Sequence, residues 1–302
     1  IVSLLVNSLY NIVDQIFIGQ GVGYQGNAAT TVAFPIVTIV LSLSMLIGAG
    51  GSAYASIRLG EGKFDVAEKV LGNMMTILIV AGLALCGICF LFFEPMLRLF
   101  GATDSIMQYA KDYAGITLLG VPFMMIGTGL SNMARTDGSP KMAMLSMIIG
   151  AILNTILDPI YIFIFHWGVK GAAIATITSQ ILSAVVLIWY FKYKGNMRLK
   201  KKYLRPEAKL VMAFCALGIS SFIVQIANTL LQVILNNSLV YYGNASTVGG
   251  DVALSAMGIV LKVSAILIGI NIGVSTGAQP IVGFNYGARK PKRIKETYLL
   301  SV

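Results

Sequence analysis

The sequence predicts an all-α, polytopic membrane protein, and three observations carry that reading. Of its 302 residues, 57% are apolar and 11% charged, too little charge to cover a soluble surface. Its uninterrupted apolar runs approach or exceed the roughly 20 residues that cross about 30 Å of hydrocarbon. Its basic residues gather in alternate connections, the pattern that sets orientation across a bilayer.

Eight spans and the start of a ninth can be placed in order: 1–20, 28–57, 66–93, 105–133, 141–165, 168–191, 208–242, 252–285 and 294 onward. The first lacks a basic start and carries Asn7, Asn11 and Asp14, so it is not a signal peptide. The second, fourth, fifth and eighth hold Pro35, Pro122, Pro159 and Pro280, which membrane helices tolerate when neighbours satisfy the freed backbone groups. Cys86 and Cys89 in the third have redox spacing without a βαβ context, and with Cys215 they read as buried free thiols. Met124, Met125 and Met133 in the fourth read first as packing residues, although soft side chains also suit varied aromatic compounds. The chain starts at Ile1 inside one apolar run and stops inside another, so it reads as a fragment of a longer protein.

Connections after even-numbered spans hold Arg58, Lys63, Lys69, Arg135, Lys141, the 192–209 cluster and the 289–295 cluster. Those after odd-numbered spans hold Arg98 and Lys170. The first span therefore starts in the cytoplasm. The net charge of +10 follows from cytoplasmic loops facing anionic lipid heads, and a nucleic-acid partner is not indicated. Three domains follow: a six-helix bundle over 1–194, a basic cytoplasmic linker over 195–207 and a partial second bundle over 208–302.

The halves resemble each other at a shift of 225 residues, which pairs Leu5 with Leu230, Asn11 with Asn236, Ala28 with Ala253, Gly48 with Gly273 and Gly62 with Gly287. An even number of spans separates the copies. They should run the same way and be related by an axis along the membrane normal.

Ionisable groups at membrane depth are expensive, about 2.5–3.5 kcal/mol or more at a helix centre, and mark function. Asp14, Asp158 and Lys262 lie deep, whereas Glu94 and Asp112 lie near span ends. Asp14 shares a helical face with Asn7 and Asn11, and Asp158 shares one with Asn154 and Tyr161. Thr176 and Gln180 share a face on the sixth span. If spans one, five and six converge, their hard oxygens suit a small alkali cation, and two carboxylates alone can hold a proton. Gln225, Asn228, Gln232 and Asn236 form a polar stripe on the seventh span that reads equally as cavity wall or interhelical glue. Lys262 pairs with an acid elsewhere, lines the cavity or snorkels to an interface.

Asn11-Ile-Val-Asp14-Gln-Ile-Phe-Ile-Gly19 resembles the opening motif of the multidrug and toxin extrusion (MATE) family. Asn154-Thr-Ile-Leu-Asp158-Pro159 is similar to that family's Asn-x-x-x-Asp-Pro motif. Gly168-Val-Lys-Gly171-Ala-Ala-Ile-Ala-Thr176 and Gln279-Pro280-Ile-Val-Gly283-Phe-Asn285-Tyr-Gly287 resemble its sixth-helix start and eighth-helix end. The acids match the prokaryotic DinF-like branch. The resemblance implies a two-bundle fold, here with the first six-helix bundle complete and about half of the second. It also implies export of small organic, often cationic, compounds from the cell by alternating access, against sodium ions or protons. The implied cation site is Asp14, Asn154, Asp158 and Thr176, able to take Na+. A monomer in the plasma membrane is expected, with no cofactor beyond the coupling ion and no ATP, since a Walker lysine motif is absent.

The alternative is a lipid-linked oligosaccharide flippase of the same broad superfamily, which would want more cationic residues lining the cleft than Lys262. An intramembrane enzyme would need a nucleophile–base set that the sequence lacks, and His166 has no metal-ligand partners nearby in sequence. Gly21-Val-Gly-Tyr-Gln-Gly26 matches a dinucleotide fingerprint by letters only, because no strand precedes it.

Overall fold

The structure, a computed structural model, describes residues 2–247 and 249–301, without the side chains of 2–5, 7–11, 262, 265–268 and 270. Among the described residues ten α-helices follow one another: α1 Val2–Gly21, α2 Tyr24–Gly60, α3 Phe64–Leu91, α4 Phe93–Leu99, α5 Met107–Thr136, α6 Pro140–Pro159, α7 Gly168–Tyr193, α8 Ala208–Asn244, α9 Gly250–Gly287 and α10 Pro291–Ser301. Among the described residues, α2, α3, α5, α6 with its extension to Ile164, α7 and α8 are long and apolar enough to cross a membrane.

The short α4 departs from the expected span order. Pro95 has no N–H to give the carbonyl of Leu91, so the third span breaks at Phe92 and resumes as a separate turn of helix. A second proline acts differently. Pro159 ends the α-helical part of α6, which runs on as a π-helix over Ile160–Ile164 rather than stopping. Beyond it the chain turns through His166, in the left-handed region at φ 55°, before α7 begins.

α2 is the centre of the molecule and packs on α3, α5, α8 and α9. Leu71, Met74 and Leu78 of α3 and Leu118, Met125 and Leu130 of α5 are buried in one continuous core with Phe191 of α7. Met125 and Met133 are fully buried there as packing residues, and the partly buried Met124 packs against that core. The α2 and α9 ranges also match at the 225-residue shift, being 37 and 38 residues long, although their prolines, Pro35 and Pro280, fall at different positions.

The two ends of the bundle differ in chemistry. At one end, Asp137 accepts hydrogen bonds from the backbone of Asn196 and Met197, Glu68 binds Arg198 N and Lys200 Nζ, and Gly60 lies against the Phe284 carbonyl. This gathers the basic connections after α2, α5, α7 and α9. The 195–207 segment is strapped down: Asn73 Nδ2 donates to the carbonyls of Tyr203 and Arg205, and its Oδ1 accepts from Glu207 N at 2.6 Å. At the other end the cations are matched by acids: Arg98 with Glu94 and Asp104, Lys111 with Glu94, and Lys170 with Asp112. Salt bridges between exposed groups add little stability, but they cancel the charge of that end.

Candidate functional site

α6 packs between α1 and α7. A Cβ added to Gly21 of α1 would fall 2.2 Å from Ile162 Cγ2, so the ends of α1 and α6 are in direct contact. Asp14 lies seven residues before Gly21, and Asp158 four before Ile162. The helices run in parallel, so the carboxylates differ in height by only about one turn, roughly 5 Å. Asp14 is 5% exposed and Asp158 not at all.

On α6, Asn154 is 1% exposed. Its Nδ2 donates to Asp158 Oδ1 at 3.2 Å and approaches Thr176 Oγ1 of α7 at 3.5 Å. The i, i+4 spacing makes the first contact, and the antiparallel packing of α7 makes the second. Asn154 Oδ1 is buried and has no hydrogen-bond partner among the described residues. Amide oxygen and nitrogen exchange by a half-turn of the side chain, so this residue can present either a donor or an acceptor toward Asp158 and Thr176.

The remaining predicted residues divide. Gln180 is half-buried, with Oε1 against Gly120 of α5 and lacking a described partner. Tyr161 stacks on Phe165 and Trp167, with ring centroids 5.9 and 5.3 Å away, at the end of the bundle. Asn236 is buried and donates to the Phe100 carbonyl at 3.2 Å, while Gln232 joins it along a small cavity between α2, α8 and α9. Gln225 and exposed Asn228 of the same stripe bond each other instead. The side chains of Asn7, Asn11 and Lys262 lie outside the described residues. Groups of three or more His, Cys, Asp or Glu suited to a metal are absent among the described residues.

Sequence reasoning missed two buried amides on another face of α1 and on α2. Gln15 is 4% exposed and Asn27 of α2 is 7% exposed, both lining a cavity of about 170 Å³ between α1, α2 and α9. The available signal was the polarity of the first turn of α2, where an amide reads as a loop-end residue.

A family model described as MatE matches residues 1–160 and 221–302. The chain belongs to the MatE family. Within it, the chain is 27% identical over 294 residues to the multidrug export protein MepA of Staphylococcus haemolyticus (strain JCSC1435), covering 97% of this chain and 63% of that protein. It is 27% identical over 290 residues to MepA of Staphylococcus aureus (strain NCTC 8325 / PS 47). The chain thus spans 63% of the length of these curated relatives. Among solved structures, the MATE multidrug transporter DinF-BH superposes with a TM-score of 0.93 at 34% identity, covering 99% of this chain and 66% of that one. A MOP superfamily transporter from Pyrococcus furiosus Vc1 (DSM3638) gives 0.85 at 23% identity, over 99% of this chain and 65% of that one, a likeness of fold alone. The all-helical MATE fold expected from the motifs is therefore the fold found.

Proposed function

We propose that this MatE-family protein is a cation-coupled antiporter that exports small organic compounds across the plasma membrane by alternating access. The observation that carries the reading is the burial of Asp14 and Asp158 on two helices in contact. Helix glue does not need carboxylates, and a charge at this depth is unfavourable without a counter-ion. An exchanged cation removes that penalty. The relatives named for multidrug export supply the class of cargo.

The coupling ion would sit among Asp14, Asp158, Asn154 and Thr176. With the ion absent, the Asn154 amide donates to Asp158. When Na+ arrives, a half-turn of Asn154 would offer Oδ1, completing a set of hard oxygens with the hydroxyl of Thr176. A proton would instead be held by one of the two carboxylates, whose like-charged neighbour favours its protonation. Each coupling charge contributes about 2.3 kcal/mol at 100 mV, plus its concentration term. We place the bundle boundaries at 194 and 208, the basic end in the cytoplasm and the working unit at a single copy.

The test is export by the full-length protein in sealed vesicles, with a sodium or a proton gradient imposed separately. One of the two should drive uphill export, and Asp14→Asn or Asp158→Asn should abolish it while the protein still inserts. Undiminished uphill export in both variants would end the coupling assignment.

A further inference from the structure

The two tryptophans of the chain flank α7. Trp167 precedes its first residue and Trp189 lies near its end. Their spacing in sequence gives a rise of about 33 Å and a turn of only about 40° round the helix. That rise is close to the roughly 30 Å of bilayer hydrocarbon. Both rings are about half exposed, 48% and 44%. Ile174, Ile181 and Val185 continue the same face between them, each partly exposed, while α5 and α6 pack on the rest of the helix. This stripe of α7 therefore looks out to lipid, with an amphipathic ring at each boundary.

The two boundaries differ in charge. Beside Trp167 the cation Lys170 is matched by Asp112. Around Trp189 the cations are unmatched. The Trp189 and Tyr193 rings lie 6.4 Å apart, both exposed to the outside. Lys194 Nζ sits 5.2 Å from the centre of the first ring and Lys192 Nζ 5.1 Å from the second, so each ring steadies one ammonium group. Arg198 adds a third cation, its Nη1 donating to the Lys192 carbonyl at 3.4 Å. It is held there because Asp137 binds the N–H groups of Asn196 and Met197, and Glu68 binds its own N–H. Asp137 is close enough to interact with Arg198, but its oxygens are taken by Tyr190 and those backbone donors. Lys192, Lys194 and Arg198 form no ion pair among the described residues.

We infer that this end of α7 is a docking site for an anionic phospholipid of the leaflet at the basic end. The lipid phosphate lies among Lys192, Lys194 and Arg198, its glycerol region against Trp189 and Tyr193, and an acyl chain along Val185 and Ile181. Charge complementarity chooses this occupant, since basic clusters at the end of a membrane helix attract anionic headgroups. A free phosphate would leave the rings and the apolar stripe uncovered. A second copy packed about a two-fold axis would set these lysines against their own counterparts. The inference rests on α7 crossing the membrane and is independent of ion coupling.

The experiment places the full-length protein in phosphatidylcholine vesicles holding a minority of phosphatidylglycerol, with bromines on the acyl chains of one lipid or the other. Bromine quenches a tryptophan it touches, and the Trp189 signal is the difference between each protein and its Trp189→Phe version. The association constant read from this quenching should favour phosphatidylglycerol by about fivefold or more, the effect of one lysine near anionic lipid. Lys192→Gln with Lys194→Gln should bring the ratio close to one while both lipids still quench. Lys201→Gln with Lys202→Gln removes the same charge from the segment lying over α3 and should leave the ratio largely unchanged. A ratio near one in the unaltered protein would overturn the site, as would a ratio that survives the first pair or falls equally with the second. Absence of quenching by either lipid would show the face covered and would overturn it too. Asp14→Asn should keep the ratio even where uphill export is lost, so this site and the coupling assignment fail separately.

Discussion

At the scale of single residues, Asp137 holds the connection between α5 and α6 to the basic segment after α7. Its carboxylate accepts the Tyr190 hydroxyl at 2.6 Å and the backbone N–H groups of Asn196 and Met197 at 2.9 and 2.7 Å. Asp137→Ala leaves the Tyr190 and Met197 donors buried without an acceptor, and unfolding in detergent should show a loss of about 2–4 kcal/mol. Burial pushes the Asp137 carboxyl above its usual range, with the Tyr190, Met197 and Asn196 donors pulling the other way. The folded protein therefore holds this proton more tightly than the unfolded chain. The resulting stabilisation is full below the unfolded value and disappears as pH rises through the folded one. A melting series in acid should show that slope in the unaltered protein and lose it in Asp137→Asn.

At the scale of elements, α8 and α9 meet the first half at both ends. Near the basic end, a Cβ on Gly218 of α8 would fall 2.0 Å from the Leu46 carbonyl of α2, and one on Gly50 would fall 2.2 Å from the Phe214 carbonyl. The two backbones touch there, so Gly218→Leu should destabilise by more than about 2 kcal/mol or prevent folding, read by thermal unfolding. At the other end, Asp251 at the start of α9 accepts from Thr103 at 2.7 Å and also from Ser105, both in the connection between α4 and α5. Asn237 of α8 donates to the Leu99 carbonyl at 2.7 Å. If alternating access opens this end, a disulfide between Thr103→Cys and Asp251→Cys should stop export, and a reductant should restore it.

At the scale of the whole molecule, the charge asymmetry makes sidedness testable. With Cys86, Cys89 and Cys215 replaced, Ser105→Cys in the full-length protein should react with an impermeant maleimide from outside the cell. Ser139→Cys, at the basic end, should react only after permeabilisation. The reverse pattern would invert the orientation drawn from the basic loops.

Much of this was legible in the chain itself, and the reason is that apolar runs, loop charge and intramembrane carboxylates are local properties. A run long enough to span hydrocarbon must be a helix whatever surrounds it, because lipid offers its backbone no other partners. The spans, the charge asymmetry of the ends, the length match of α2 and α9, and the burial of Asp14, Asn154 and Asp158 all follow from that constraint. What tertiary packing alone decided is which face of each helix meets which neighbour. The strap of Glu68, Asn73 and Asp137 joins residues more than fifty positions apart in the chain. The separate α4, the π-helix after Pro159 and the cavity at Asn27 likewise depend on how helices abut. In lipid, apolar residues are equally at home on either side of a helix, so only close contact between side chains selects its partners.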